Sequence, residues 1–137
     1  MITPRQSKLV QESWEKVRPI AAKAAELFYG RLFVLDPSLR RLFSGDMAEQ
    51  GDKLMKTLQV AVNGLGNLDS LVPILENLGH RHVAYGVEPE HYNTVGQALI
   101  WTLERGLGDD FTPEVKEAWV TVYGVVSDVM LNGAEQG

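Results

Sequence analysis

The sequence contains no cysteine among its 137 residues. This absence excludes disulfide bonds, thiolate metal sites and a cysteine nucleophile. Basic residues are also scarce, since 13 Lys and Arg stand against 18 Asp and Glu and the formal charge is −5. Nucleic acids and anionic membrane surfaces both attract clustered Lys and Arg, so neither is expected as a partner.

Long apolar runs and the common nucleotide and hydrolase motifs are missing too. No apolar stretch is long enough to span a bilayer and the N-terminus does not resemble a leader, so we expect a cytoplasmic protein. There is no Gly-x-Gly-x-x-Gly or Walker loop and no Gly-x-Ser-x-Gly. Because alternating apolar patterns are also absent, the sequence predicts a single all-α domain over residues 1–137.

Helical periodicity and helix-start signals divide the chain into about seven helices. Thr3 and Gln6 can form a capping box around Pro4, and proline recurs near other helix starts. The predicted segments are residues 4–18, 20–35, 36–43, 47–65, a histidine-bearing helix from 69 or 70, 88–107 and one starting at 112–113. We expect Pro73 in the first turn of the histidine-bearing helix, weakening of that helix at Gly79 and Gly86, and fraying over residues 132–137.

The histidine-bearing helix places one histidine on its apolar face. Leu71, Leu75 and Leu78 follow helical spacing, and four residues further the same face reaches His82. His80 faces the other way, and its spacing from His82 does not suit a helical two-histidine metal site. A single histidine on an apolar face is more often a satisfied core residue than a metal ligand.

Two polar side chains on other helices are candidates to act with His82. Gln50 is otherwise the only polar residue on the apolar stripe of its helix, and Tyr29 lies in an aromatic cluster. Each also has an ordinary structural explanation, because Gln50 can face solvent at a helix start and Tyr29 can bury its ring. Together the three residues supply one neutral imidazole and two hydrogen-bond donors.

Six short segments, taken in order, carry a resemblance to a known family. They are residues 27–33, 36–43, 50–54, 81–87, 91–96 and 118–124. With these segments the chain resembles the globins over nearly its whole length, specifically bacterial single-domain haemoglobins and the haem domain of flavohaemoglobins.

The resemblance implies haem b as cofactor and gives roles to eight residues. His82 resembles the proximal iron ligand, and we expect its other ring N–H to donate to the Leu78 carbonyl one turn back. The other roles implied are Phe43 wedged against the porphyrin, Tyr29 and Gln50 as the distal hydrogen-bonding pair, Leu54 as the apolar residue over the ligand, Tyr92 as the proximal-side tyrosine, and Lys53 and Arg81 near the propionates. His91 is expected on the surface.

The same resemblance implies reversible, high-affinity binding of O2, and of CO and NO. Flavohaemoglobins carry a glutamate on the last helix where this chain has Ala134, with Glu135 one residue off, so strong electronic push from the proximal side is not expected. The chain also ends where their reductase domain would begin. The alternatives are a nitric oxide dioxygenase served by a separate reductase, a haem-based gas sensor and a haemless globin-like interaction module.

Overall fold

The computed structural model describes residues 2–43, 46–84 and 86–136, apart from the side chains of 84 and 134–136. Within these residues the chain forms six α-helices and no strand, which confirms the all-α expectation. The helices are α1 (Pro4–Val17), α2 (Ala21–Leu35), α3 (Met47–Asn63), α4 (Leu68–Ala84), α5 (Pro89–Leu107) and α6 (Pro113–Gln136). Short 3₁₀ turns occur at Arg18–Ile20, Pro37–Leu42, Gly64–Gly66 and Gly108–Asp110. No helix in these ranges is long and apolar enough to cross a membrane.

The helix-start signals act as the sequence predicts. Thr3 Oγ1 accepts the Gln6 backbone N–H at 3.1 Å, and Gln6 Oε1 accepts the Thr3 N–H at 3.0 Å. These two bonds satisfy N–H groups that have no partner inside the helix. Asp46 caps α3 in a simpler way, because its carboxylate accepts the Ala48 N–H at 2.8 Å.

Two buried indoles fasten α1 to its neighbours. Trp14 and Trp119 pack with ring centroids 6.2 Å apart, which brings α1 onto α6. Trp119 Nε1 donates to Ser13 Oγ at 2.8 Å, and Trp14 Nε1 donates to Gln59 Oε1 at 2.7 Å. Both buried indole N–H groups are therefore satisfied, so the core keeps the apolar area of the rings without the cost of an unpaired donor.

The structure corrects the expectation for α4 and extends α6. Helix α4 begins at Leu68, which puts Pro73 inside the helix and not in its first turn, and it continues through Gly79 to Ala84. Helix α6 runs to Gln136, past residue 132, at which fraying was expected to begin. The short helix predicted over residues 36–43 is present as a 3₁₀ helix at Pro37–Leu42.

Gly79, which was expected to weaken α4, instead lies at a close contact between α4 and α6, as does Gly133. A Cβ at Gly79 would lie 2.8 Å from Met130 Cα, and one at Gly133 would lie 2.5 Å from Glu76 Cα. Backbone meets backbone at both points, and any side chain larger than hydrogen would push the helices apart. Packing therefore overrides the low helix propensity of glycine at these two positions.

We expect Gly79→Ala to lower the free energy of unfolding by roughly 1–3 kcal/mol, because the added methyl overpacks the crossing of α4 and α6. Urea unfolding measures the change as a lower midpoint at unchanged slope. Gly124→Ala is the matched control, since it lies within α6 and its Cβ would meet nothing within 4 Å. A loss no larger than that of the control would contradict the close contact.

Candidate functional site

Tyr29 is held inside an aromatic cluster on α2. Its side chain is only 9% exposed, and its ring lies 5.1 Å from Phe28 and 5.3 Å from Phe43 between centroids. Phe33 stacks on it one helical turn later, at 6.1 Å. Burial raises the pKa of Tyr29 to about 12. The hydroxyl therefore remains a protonated hydrogen-bond donor at neutral pH.

The Tyr29 hydroxyl meets α3 at Gln50. It donates to the backbone carbonyl of Gln50 at 3.4 Å, near the upper limit for a hydrogen bond. The Gln50 side chain is half-buried beside it. The structure thus brings together the two residues that sequence reasoning paired from separate helices, through the backbone of Gln50.

A close contact between helices sets this approach. A Cβ at Gly51 would lie 2.8 Å from the Cβ of Ala25, one turn before Tyr29 on α2. Gly51 itself is buried, so the backbone next to Gln50 lies directly against α2. Sequence reasoning missed this pair, although a glycine inside an otherwise regular apolar stripe is a recognisable signal of close backbone approach.

The other residues expected on the same side as Tyr29 differ in how far they are buried. Phe43, after the 3₁₀ turn, packs against Tyr29 and against Phe33, the latter with centroids 5.7 Å apart. Leu54 is half-buried against the main core one turn after Gln50, whereas Lys53 is exposed. Of these three, Phe43 shares direct contacts with Tyr29.

His82 is oriented by its own helix. Its Nδ1 lies 2.7 Å from the Leu78 carbonyl oxygen, which is the predicted hydrogen bond. Since a carbonyl only accepts, the proton is on Nδ1 and the lone pair is on Nε2. Burial lowers the pKa of His82, the Leu78 bond opposes that shift, and the charge of Arg81 adds to it. The neutral ring that metal ligation requires is thus the favoured form near neutral pH.

Tyr92, at the start of α5, lies beside this histidine. The two ring centroids are 6.4 Å apart. The Tyr92 hydroxyl is buried and has no hydrogen-bond partner among the described residues, and burial raises its pKa. Its backbone carbonyl accepts the Tyr123 hydroxyl at 2.5 Å, and the Tyr123 ring lies where a Cβ of Gly96 would be. Helix α6 therefore holds the start of α5 through Tyr123, a contact that sequence reasoning did not assign.

His91 is not the surface residue that the sequence suggested. It is 7% exposed, and its Nδ1 accepts the Glu88 N–H at 3.0 Å to close a capping box at the start of α5. A ring three residues into a helix can reach back to the cap backbone as glutamine does, which accounts for its burial.

A cleft of about 480 Å³ opens between α3 and α4. Its walls are Thr57 and Val60 from α3, and Pro73, Ile74, Asn77, Leu78 and Arg81 from α4. Val60 and Ile74 are 47% and 52% exposed, which is unusual for large apolar side chains that face a common space. Of the eight residues to which the resemblance gives a role, Arg81 lines this cleft and the other seven do not.

Comparison with known proteins decides the family. The globin family model matches residues 26–130. The chain belongs to the globin family. This globin is 31% identical to neuroglobin of Tetraodon nigroviridis and 32% identical to neuroglobin of Danio rerio, each over 146 aligned positions that cover 96% of this chain and 92% of the relative.

Membership supports haem-based reversible gas binding as the general activity of this globin. The relatives named above are vertebrate neuroglobins and not bacterial haemoglobins or flavohaemoglobins. The comparisons therefore support the family that the sequence pattern indicated, but not the bacterial subgroup within it.

The described residues fit a haem. A neutral imidazole with its lone pair on Nε2 is a suitable iron ligand, and the Leu78 bond is the kind of outer contact that fixes such a ligand. The Tyr92 ring beside His82, and the Tyr29 and Phe43 rings, offer aromatic surfaces suited to a flat apolar group.

We expect Gly51→Ala to destabilise the protein by roughly 1–3 kcal/mol, since its methyl would overlap the Ala25 methyl. Ala25→Gly should restore the space, at a helix-propensity cost of roughly 0.5–1 kcal/mol. A double-mutant cycle by urea unfolding should then show the pair to be more stable than the sum of the single changes by about 1 kcal/mol or more. Strict additivity would contradict the proposed contact between α2 and α3.

Proposed function

We propose that this globin is a single domain over residues 1–137 that holds haem b through His82 and binds O2 reversibly. CO and NO are further ligands of the same site. The observation that carries the proposal is the His82 Nδ1 bond to Leu78, at 2.7 Å. Tyr29 and Gln50 supply the opposite, distal side.

On the proximal side, contacts within the protein fix the orientation and the proton position of the His82 ring before any metal is bound. A bound haem would supply an iron that can bind a diatomic gas. The Leu78 carbonyl fixes the ring orientation and the proton position, so Nε2 is the ligating nitrogen. Burial keeps the ring neutral, and Tyr92 packs against it on the α5 side.

On the distal side, Tyr29 and Gln50 act as hydrogen-bond donors to a polar ligand. When the Tyr29 hydroxyl turns toward such a ligand, it loses only a long hydrogen bond of 3.4 Å to the Gln50 carbonyl. The Gln50 side-chain amide carries a second N–H donor. Phe43, Phe33 and Phe28 surround the Tyr29 ring, so the phenol is held in a dry environment where its hydrogen bonds are strong.

Arg81 is the cation proposed for the rim of the site. Arg81 lines the cleft and is proposed to pair with a haem propionate, with the energy of an exposed ion pair. Lys53 is proposed as a second partner, from the exposed side of α3. Leu54 is proposed to cover the ligand space from α3.

The alternatives differ in what they demand of these residues. Nitric oxide oxidation with a separate reductase uses the same Tyr29 and Gln50 donors, and the position of the flavohaemoglobin glutamate falls on Ala134, whose side chain lies outside the described residues. A gas sensor would use the same pocket and signal through a partner. A haemless module would need neither a neutral His82 nor the distal pair. Reversible gas binding is the function that these residues support best.

We expect the purified protein to show the absorption bands of a bound haem, and His82→Ala to lose them, because no other residue is proposed to hold the iron. Visible spectra of the oxidised, reduced and O2-exposed protein give the measurement. His80→Ala is the matched control, since His80 lies on the same helix but is exposed. Haem bands that survive in His82→Ala and not in His80→Ala would refute the ligand assignment.

We expect Tyr29→Phe to speed O2 dissociation roughly 10- to 100-fold, because it removes one hydrogen bond to a partly charged ligand. Stopped-flow displacement of O2 measures the rate. CO dissociation in the same variant is the internal control and should change much less, since CO is less polar. An unchanged O2 rate would show that Tyr29 does not face the ligand.

A further inference from the structure

A second cleft lies outside the proposed haem site, between α2, α5 and α6. Its volume is about 440 Å³. Its lining residues are Arg31 and Leu35 from α2, Asn93, Gly96, Gln97, Ile100, Trp101 and Glu104 from α5, and Val120 and Tyr123 from α6. Ligand sites in proteins have this character, with mostly apolar walls, a few polar groups and volumes of roughly 300–1,000 Å³.

Arg31 is the polar group whose bonding is incomplete. Its Nε is buried and has no hydrogen-bond partner among the described residues. Its guanidinium lies over the Trp101 ring at 5.2 Å from the centroid, so the side chain is held by stacking and not by an acceptor. A buried N–H without an acceptor is unfavourable, and an incoming acceptor would remove that cost.

The charges around the cleft favour an anion. Arg31 is the one cation among its lining residues, and a second cation, Arg105, lies over the same Trp101 ring at 4.8 Å from the centroid. Glu104 also lines the cleft but is exposed and forms no ion pair with Arg31 in the described part of the chain. The two guanidinium groups on one indole make a local positive region on a chain of formal charge −5.

We propose that this cleft binds a small organic carboxylate with an apolar body. The carboxylate pairs side-on with Arg31 at Nε and one Nη, the two-point geometry that guanidinium and carboxylate share. Nε is buried, so the guanidinium turns toward the cleft when the carboxylate binds. This movement breaks no hydrogen bond of Nε, because Nε has none among the described residues. The apolar body packs against Ile100 and Val120, and the amides of Asn93 and Gln97 lie at the polar edge.

The test uses octanoate as the probe and the three indole N–H signals in NMR spectra of the protein as purified. Trp101 should shift saturably. Trp14 and Trp119 are internal references, because their N–H groups are bonded to Gln59 and Ser13 in the core. Octanol, which lacks the charge, should bind roughly 10- to 100-fold more weakly.

Variants separate the proposed contact from a general effect of charge. Arg31→Gln should weaken octanoate binding by the same roughly 10- to 100-fold, and Arg31→Lys should fall between it and wild type, because lysine keeps the charge without the fork. Arg105→Gln is the matched control and should bind nearly as wild type, since Arg105 stacks on Trp101 but does not line the cleft.

Several outcomes would overturn the proposal. These are no saturable shift at Trp101, equal binding of octanol, equal loss in the Arg31 and Arg105 variants, or a shift of all three indoles. A change in the haem spectrum on adding octanoate, without a shift at Trp101, would place binding in the haem site. Because the readout is an indole signal, a protein without haem would leave this test intact.

Discussion

The direct backbone contact between α4 and α6 is the constraint on which the proposed site depends. Gly79 and Gly133 allow it, and His82 follows Gly79 by three residues, within one helical turn. The contact therefore fixes both the height and the rotation of the helix that carries the imidazole. The Leu78 carbonyl then fixes the ring relative to the helix. Position is set by packing and orientation by one hydrogen bond.

The distal side depends on a separate close approach. Gly51 against Ala25 brings α3 onto α2 and sets the Gln50 backbone at the Tyr29 hydroxyl. No described contact joins this pair directly to the one between α4 and α6. The cleft between α3 and α4 thus has walls held by different neighbours, α2 on one side and α6 on the other.

The sequence predicted what depends on short-range pattern. The capping box at Thr3, the start of α3 at Met47, the all-α class and the Leu78 to His82 bond depend on residues a few positions apart. It did not predict what depends on a distant partner. Gly79 has low helix propensity, and only the Met130 backbone opposite it explains why the helix continues. Likewise His91 looked exposed until its bond to the Glu88 N–H was visible.

The site residues also differ in whether a short-range pattern or a distant partner determines their surroundings. The helical face directed His82 toward the core, and the resemblance to globins implied its role and put Tyr92 on the same side. The observed contact between the two rings depends on the start of α5, which Tyr123 holds from α6. Arg31 lies in the 27–33 segment, but sequence reasoning assigned it no role. Its significance arises because Trp101 and the cleft lie on another helix and no acceptor reaches its Nε in the described structure. Whether a buried N–H has a hydrogen-bond acceptor depends on all the elements packed around it. A missing acceptor can therefore be recognised only in the three-dimensional structure.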